Sequence, residues 1–486
     1  MSTAPSRPNV VLITCDQLRF DTVLPHRPDF LRVPHLDALA NTGISFRRAY
    51  TTCPICVPAR CTIMSGIHEQ THGMLGNGES IEVLADRNTL PMRMRELGYQ
   101  PMAIGKMHFG PRRARHGFDD CLIADDYFLD LKRRGEPFHE FHHGLGQNEW
   151  YPGRSSVPEP LTYTSWTAEK CVEFLHHRRD PTRPFFLWCS FGKPHPPFDP
   201  PEPYYSMYRG LDLPSPALGD WTHDPEQCPY VIRASQLSTP DQLAGINADV
   251  RAAYYGLVTQ IDYNLGRLFG ALREIGEETA IIFTADHGEL LGDHGLYGKS
   301  QWLEPSAHVP MIVQPPKSFD GWRAGDHRDD LVCLADLLPT IVGLGGGRAD
   351  DVEGFDMFAP IRGEREPRDY LEAIGPGPMN ESYWALTDGR RKYLWYVHGP
   401  TELLFDLESD PQERDNLAIR PEHRDRCDRM HRELVRRLDA RPDREGKVHD
   451  GRLNAITDLA PLDEQAQRAA VHIGYHTEYV DKDVFH

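Results

Sequence analysis

Residues Cys56-Val57-Pro58-Ala59-Arg60-Cys61-Thr62-Ile63-Met64-Ser65-Gly66 organise the rest of the chain. The run predicts a short helix. Pro58 is tolerated in a first turn, whose N–H groups have no helical partner, and Gly66 is a natural stop. Cys56 then stands at or just before the helix N-terminus, facing free N–H groups and the positive end of the dipole. Arg60, four residues on, projects from the same side. A nucleophilic side chain, a dipole and a fixed cation meet at one point, which suits a tetrahedral oxyanion. Cys53-Pro54-Ile55-Cys56 is also a C-x-x-C, the spacing of a redox pair or of half a zinc site. A structural zinc would want a second close pair, and the other cysteines are scattered.

Four apolar runs predict strands whose ends carry polar residues. Asn9-Val10-Val11-Leu12-Ile13-Thr14 reads as a strand buried on both faces and leads to Asp16-Gln17. Pro101 to Ile104 leads to Gly105-Lys106-Met107-His108, and Phe185 to Ser190 leads to Gly192-Lys193-Pro194-His195-Pro196-Pro197. Ala280 to Thr284 leads to Asp286-His287-Gly288-Glu289 and then Gly292-Asp293-His294-Gly295-Leu296-Tyr297-Gly298-Lys299. In an open parallel sheet, ligands bind beyond the carboxyl ends of strands. Taken singly, an Asp after a strand is more often a turn or cap residue, and so is Asn77 between Gly76 and Gly78. Asp293 and His294 read as structural.

Cys-x-Pro-x-Arg followed by Met64-Ser65-Gly66 resembles the signature of the formylglycine sulfatases, in the alkaline phosphatase superfamily. The Asn9–Gln17 run, Gly105-Lys106-x-His108, the Pro194-His195 element and Asp286-His287-Gly288 with Gly298-Lys299 resemble further elements of that family, so the likeness covers most of the chain. It implies an α/β fold with a large, mostly parallel sheet flanked by helices, plus a smaller C-terminal α+β subdomain. It implies that a separate formylglycine-generating enzyme oxidises Cys56 to an aldehyde, 3-oxoalanine. Asp16, Gln17, Asp286, His287 and residue 56 then become ligands of one divalent cation, with Ca²⁺ the family default and Mn²⁺ acceptable to the imidazole. Arg60, Lys106 and Lys299 become the cations that balance the ionised nucleophile and an anionic substrate, and Asn77 reaches substrate oxygens.

The activity implied is hydrolysis of a sulfate monoester. The hydrated aldehyde attacks sulfur in line, and His195 or Lys299 protonates the departing alcohol. His108 then takes a proton from the second hydroxyl, so that sulfate leaves and the aldehyde returns. A phosphonate monoester or phosphodiester hydrolase is the alternative on the same machinery. Gln17, Asn77 and His287 lean toward it, and Lys106 with His108 lean toward sulfate. The leaving alcohol is not written in the motifs, although Glu149, Trp150 and Tyr151 could meet a quaternary ammonium.

The totals bound the rest. A chain of 486 residues predicts one large domain and a lesser one, here 1–365 and 366–440, followed by a tail over 441–486. That tail reads either as an arm between subunits or as a surface-packed segment. A net charge of -19 argues against nucleic acid as a partner. No signal peptide or membrane-length run is visible, and ten cysteines without a secretory signal predict reduced thiols in the cytoplasm. Segment 111–162, polar, aromatic and rich in His and Gly, reads as a long insertion over the site, and 200–240 as an irregular stretch lining the substrate mouth. Asn247 to Leu272 predicts a core helix, and Leu331 to Leu344 the last helix of the large domain. Thr89 to Gly98 predicts a helix capped by Thr89, Tyr383 to Tyr396 a hairpin turning at Asp388-Gly389, and Glu422 to Leu438 a final helix.

Overall fold

The computed structural model describes residues 7–77, 84, 87–135, 143–237, 241–375, 382–442 and 447–462. Gly78, part of the 111–162 segment and the tail beyond 462 lie outside that set, and with the tail lies the reading of an arm between subunits.

Eight strands form the main sheet: β1 (Asn9–Asp16), β2 (Ile44–Tyr50), β3 (Gln100–Gly105), β4 (Asp120–Leu122), β5 (Phe185–Pro194), β6 (Thr279–Ala285), β7 (Met311–Gln314) and β8 (Asp326–Cys333). Their order is β4-β3-β5-β1-β6-β7-β2-β8. Only β7 runs against its neighbours; every other pairing is parallel. β1 is central and buried at every position, as its continuous apolar run requires. Because β3, β5, β1 and β6 are adjacent and parallel, their carboxyl ends share one edge. That edge carries Lys106, His195, Asp16 and Asp286.

Two groups of helices flank the sheet. Helix α1 (Pro34–Thr42) and the Tyr163–Glu173 helix pack against the long Asp241–Ile275 helix. Helix α2 (Cys56–Ser65) packs with Leu90–Glu96 and Leu337–Leu344. Four antiparallel strands follow: β9 (Leu371–Ile374), β10 (Tyr383–Thr387), β11 (Arg391–Tyr396) and β12 (Thr401–Asp406), in the order β12-β11-β10-β9. The predicted hairpin is β10–β11, with Thr387 opposite Lys392. The Arg424–Asp439 helix covers it with Cys427, Met430, Leu434 and Leu438.

Several local expectations are corrected. Leu331 to Cys333 ends strand β8 rather than opening a helix, because parallel pairing to β2 captures this apolar run. Thr89 sits at the helix boundary, but its hydroxyl donates to His116 O and caps nothing. Segment 111–162 supplies the edge strand β4 and the Ala124–Arg133 helix. Segment 200–240 carries the helices Tyr204–Met207 and Tyr230–Leu237. Residues 447–462 lie along the small sheet: Trp395 donates to Asn454 O, and Ile456 N–H to Val397 O. Among the described residues, no helix is long and apolar enough to cross a membrane.

Candidate active site

Helix α2 begins at Cys56 itself, and all ten of its residues are buried. Gly66 closes it in the left-handed region, at φ 67°, where a Cβ would be strained and would crowd Val352. The Val57 N–H, one of the orphan donors of the first turn, is taken by Asn77 Oδ1 at 3.1 Å. Asn77 therefore steadies the helix end that holds residue 56.

The Cys56 thiol lies among the residues delivered by the strand ends. Its Sγ is 3.2 Å from His287 Nε2, 3.8 Å from Asp16 Oδ1 and 3.3 Å from Lys299 Nζ. Donor atoms of Asp16, Cys56, Asp286 and His287 all lie within 4.8 Å of one another, and all four residues are buried. The His287 ring donates from Nδ1 to Gly288 O at 3.0 Å, which leaves the Nε2 lone pair facing the cluster. Two carboxylates, one imidazole with its lone pair turned inward and an adjustable fourth donor fit a divalent cation.

Gln17 occupies the left-handed region at φ 67°. Its N–H donates to Asp286 Oδ1 at 3.1 Å, its Oε1 accepts from Lys299 at 2.6 Å, and its Nε2 donates to Glu289. Lys299 thus links the amide oxygen of Gln17 to the thiol. Lys106 Nζ is 2.6 Å from Asp16 Oδ2.

Arg60 does not face open space. Its guanidinium is fully buried, 2.9 Å from Asp286 Oδ2 and 3.3 Å from Asp16 Oδ2. Its remaining donors go to Lys106 O at 2.5 Å and Ser190 Oγ at 2.9 Å. The guanidinium fixes the two carboxylates and the loop after β3. Lys193 leaves the site, forming a buried ion pair with Asp199. Cys53 and Cys56 are both unpaired thiols.

Electrostatics separates these groups. Burial and Asp16 push the Cys56 thiol up, but the Lys299 and Lys106 ammonium groups, first among its opposing neighbours, hold it well below its ordinary value. Cys53, buried without such cations, is pushed well up. Burial would raise Asp16 as well, yet Lys106, His195, Arg60 and Lys299 keep it well below the carboxylate range. Asp286 is raised by burial and by the neighbouring Asp16 charge. Burial, Lys106 and Lys299 hold His195 well below its ordinary value, so its ring is neutral in the free protein. The His195 Nδ1–H is fixed on Pro196 O at 2.8 Å, which leaves Nε2 as an acceptor. His108 sits at φ 60°, and its buried Nδ1 has no hydrogen-bond partner among the described residues.

Two contributors went unread in the sequence. Ser190, at the end of β5, accepts from Arg60 and donates to Lys106 O at 2.6 Å. Glu289, fully buried and raised by that burial, accepts from Gln17 Nε2 and from the N–H groups of Leu291 and Gly298. Their positions after strand ends were visible, but no pattern separates such supports from ordinary loop residues.

The sequence profile of the sulfatase family matches residues 8–347, and a profile described as N-sulphoglucosamine sulphohydrolase, C-terminal, matches 292–440. The chain is 31% identical over 463 residues to an arylsulfatase of Clostridium perfringens, covering 90% of this chain and 95% of that protein. It is 30% identical to a multifunctional alkaline phosphatase superfamily protein, PehA, of Trinickia caryophylli, covering 86% and 92%. The crystal structure of a phosphonate monoester hydrolase of Agrobacterium radiobacter superposes with a TM-score of 0.77 at 25% identity, covering 88% of this chain and 95% of that one. With more than two thirds of its length matched, and with the cysteine of the signature set among two aspartates, a histidine and a lysine, this chain belongs to the sulfatase family.

Proposed function

We propose that the protein hydrolyses a sulfate monoester to an alcohol and inorganic sulfate, with Cys56 converted to formylglycine as the nucleophilic residue. Asp16, Asp286, His287 and the residue-56 side chain would hold one divalent cation, Ca²⁺ first and Mn²⁺ as the alternative, with the Gln17 amide oxygen completing the set. When bound, the cation adds positive charge beside residue 56 and favours its ionised form. The observation that carries the proposal is the position of the Cys56 side chain between His287 Nε2 and Lys299 Nζ, at 3.2 and 3.3 Å.

The chain's own residues supply the rest. Lys299 and Lys106 meet the charged oxygens of the ester, the first beside the nucleophile and the second anchored on Asp16. Lys299 Nζ carries the protons needed by a departing alkoxide. His195, neutral with Nε2 an acceptor, takes up a proton from solvent once the substrate's negative charge offsets the two lysines, and can then donate it to that oxygen. His108, with its unpartnered Nδ1, takes the proton of the second hydroxyl and releases sulfate. Arg60 and Ser190 keep the carboxylates and the Lys106 loop in place.

Two observations favour a second activity: residue 17 is a glutamine and not a second acid, and the fold superposes on a phosphonate monoester hydrolase. The test compares kcat/KM for an aryl sulfate with that for a phenylphosphonate monoester. It uses protein co-expressed with a formylglycine-generating enzyme, with conversion of Cys56 checked by peptide mass spectrometry. A higher kcat/KM for the sulfate is expected. A decisive preference for the phosphonate would reverse the assignment.

A further inference from the structure

Segment 143–155 connects the two sides of the site. At one end the His143 ring, Nε2 to Asp199 Oδ2 at 3.0 Å, joins the Asp199–Lys193 pair beneath the loop that carries His195. Gly153 N–H donates to Phe198 O at 2.9 Å and Ser155 N–H to Pro200 O at 3.2 Å, so the backbone is docked on that same loop. At its other side the segment places Trp150 on the turn that carries Lys299. The Trp150 ring stacks on Tyr297, with centroids 5.7 Å apart and planes at 29°. Its six-membered ring comes within 3.6 Å of where a Cβ on Gly298 would lie, one residue before Lys299. Gly298, at φ 79°, permits that approach. Tyr297 is fixed in turn by a hydrogen bond from Asn247.

Trp150 is only half-buried, and among the described residues its indole N–H has no hydrogen-bond partner. A large ring held in one orientation, backed on one face and partly open, is a stacking platform. Its ring lies on the residue that precedes Lys299, and three residues on its own segment is tied to Phe198, in the loop that carries His195. We infer that Trp150 is the leaving-group wall of the site, stacking on a flat aromatic alcohol and setting a preference for aryl over alkyl esters. This rests on the ester-hydrolase reading above and names its substrate class.

The test measures kcat and KM of the aldehyde-bearing enzyme for 4-nitrophenyl sulfate and for a non-aromatic alkyl sulfate, in the wild type, Trp150→Leu and Trp150→Phe. Leucine keeps an apolar side chain on Gly298 and removes the ring; phenylalanine restores a stacking face. The expected result is an aryl-to-alkyl ratio of kcat/KM about tenfold lower in Trp150→Leu, carried mainly by KM for the aryl ester, and largely recovered in Trp150→Phe. An equal fall for both esters would mean that Trp150 only braces the Lys299 turn, and an unchanged ratio would mean that it does not meet the alcohol; either overturns the inference. So would a loss confined to a quaternary-ammonium alkyl sulfate, which would mark a cation site instead. If the wild type cleaves only phosphonate monoesters, phenyl and ethyl esters are compared in the same way. The wall then stands or falls separately from the sulfate assignment. A fully converted wild type that cleaves none of these esters overturns both.

Discussion

Arg60 donates from both Nε and NH2 to one oxygen, Oδ2 of Asp286, at 3.0 and 2.9 Å, and neither side chain is exposed to solvent. The cation nearest the signature cysteine along the helix thus works through the carboxylates of Asp16 and Asp286. Removing one member of a buried, hydrogen-bonded ion pair leaves an uncompensated charge, which costs roughly 3–5 kcal/mol.

Arg60→Ala is therefore expected to lower stability by about 3–5 kcal/mol and to weaken divalent-cation affinity by about 10–100-fold, the range for lost supports of metal ligands. Denaturant unfolding and calorimetric cation titration measure the two effects. Normal cation affinity with activity alone lost would return Arg60 to the substrate.

Cys56→Ser keeps the size of residue 56 and denies it the aldehyde. Attack by the serine oxygen would leave a sulfate ester with no second hydroxyl through which to eliminate. Turnover is expected to fall at least about a thousandfold, while the active-site peptide gains a covalent sulfate. Intact-peptide mass spectrometry after incubation with an aryl sulfate reads this directly. A serine variant that turns over like wild type would remove formylglycine from the mechanism.

Burial lowers the His294 pKa from 6.5 to about 4. A histidine depressed in the folded state contributes stability that is complete above its unfolded value and is lost as pH falls, because the unfolded chain takes up a proton that the folded one refuses. Between pH 7 and pH 4 this single group should remove about 3 kcal/mol. His294→Gln abolishes the term, so the difference in unfolding free energy between wild type and variant should shrink or reverse across that window. A constant difference would show that His294 charges freely in the fold.

Lys392 of β11 is fully buried, 2.5 Å from Glu304 and 2.9 Å from Glu413, with Glu304 also 2.8 Å from His308 Nδ1. Strand β11 belongs to the small sheet and Glu304 to the segment after Lys299, so this network fastens the small sheet to the catalytic edge. Lys392→Met leaves two buried carboxylates facing each other and should cost about 3–5 kcal/mol. The triple variant with Glu304→Gln and Glu413→Gln should recover much of that loss. Thermal unfolding of the three proteins decides it; no recovery would mean that packing of the lysine stem, and not its charge, holds the contact.

The features legible in the sequence were those fixed locally or by repetition. The Cys56 helix announced itself through its proline and its terminal glycine. The apolar runs of β1, β3, β5 and β6 announced a parallel sheet, and the residues after them announced its carboxyl edge. Hairpin β10–β11 followed from alternation and an Asp-Gly turn. Leu331 to Cys333 was misread because an apolar run suits a strand or a helix equally until its neighbour is known, and the neighbour, β2, lies hundreds of residues earlier. Thr89 has the chemistry of a cap, but a carbonyl from His116 competes for its hydroxyl. The direction of the Arg60 guanidinium was likewise beyond any pattern. Spacing places a side chain on a face, and only the packed sheet decides that two carboxylates, from β1 and from the end of β6, stand there to receive it. Composition and periodicity settle which elements form; the charge partners of a buried group are settled by long-range pairing, because electrostatic energy depends on distances that the chain order does not contain.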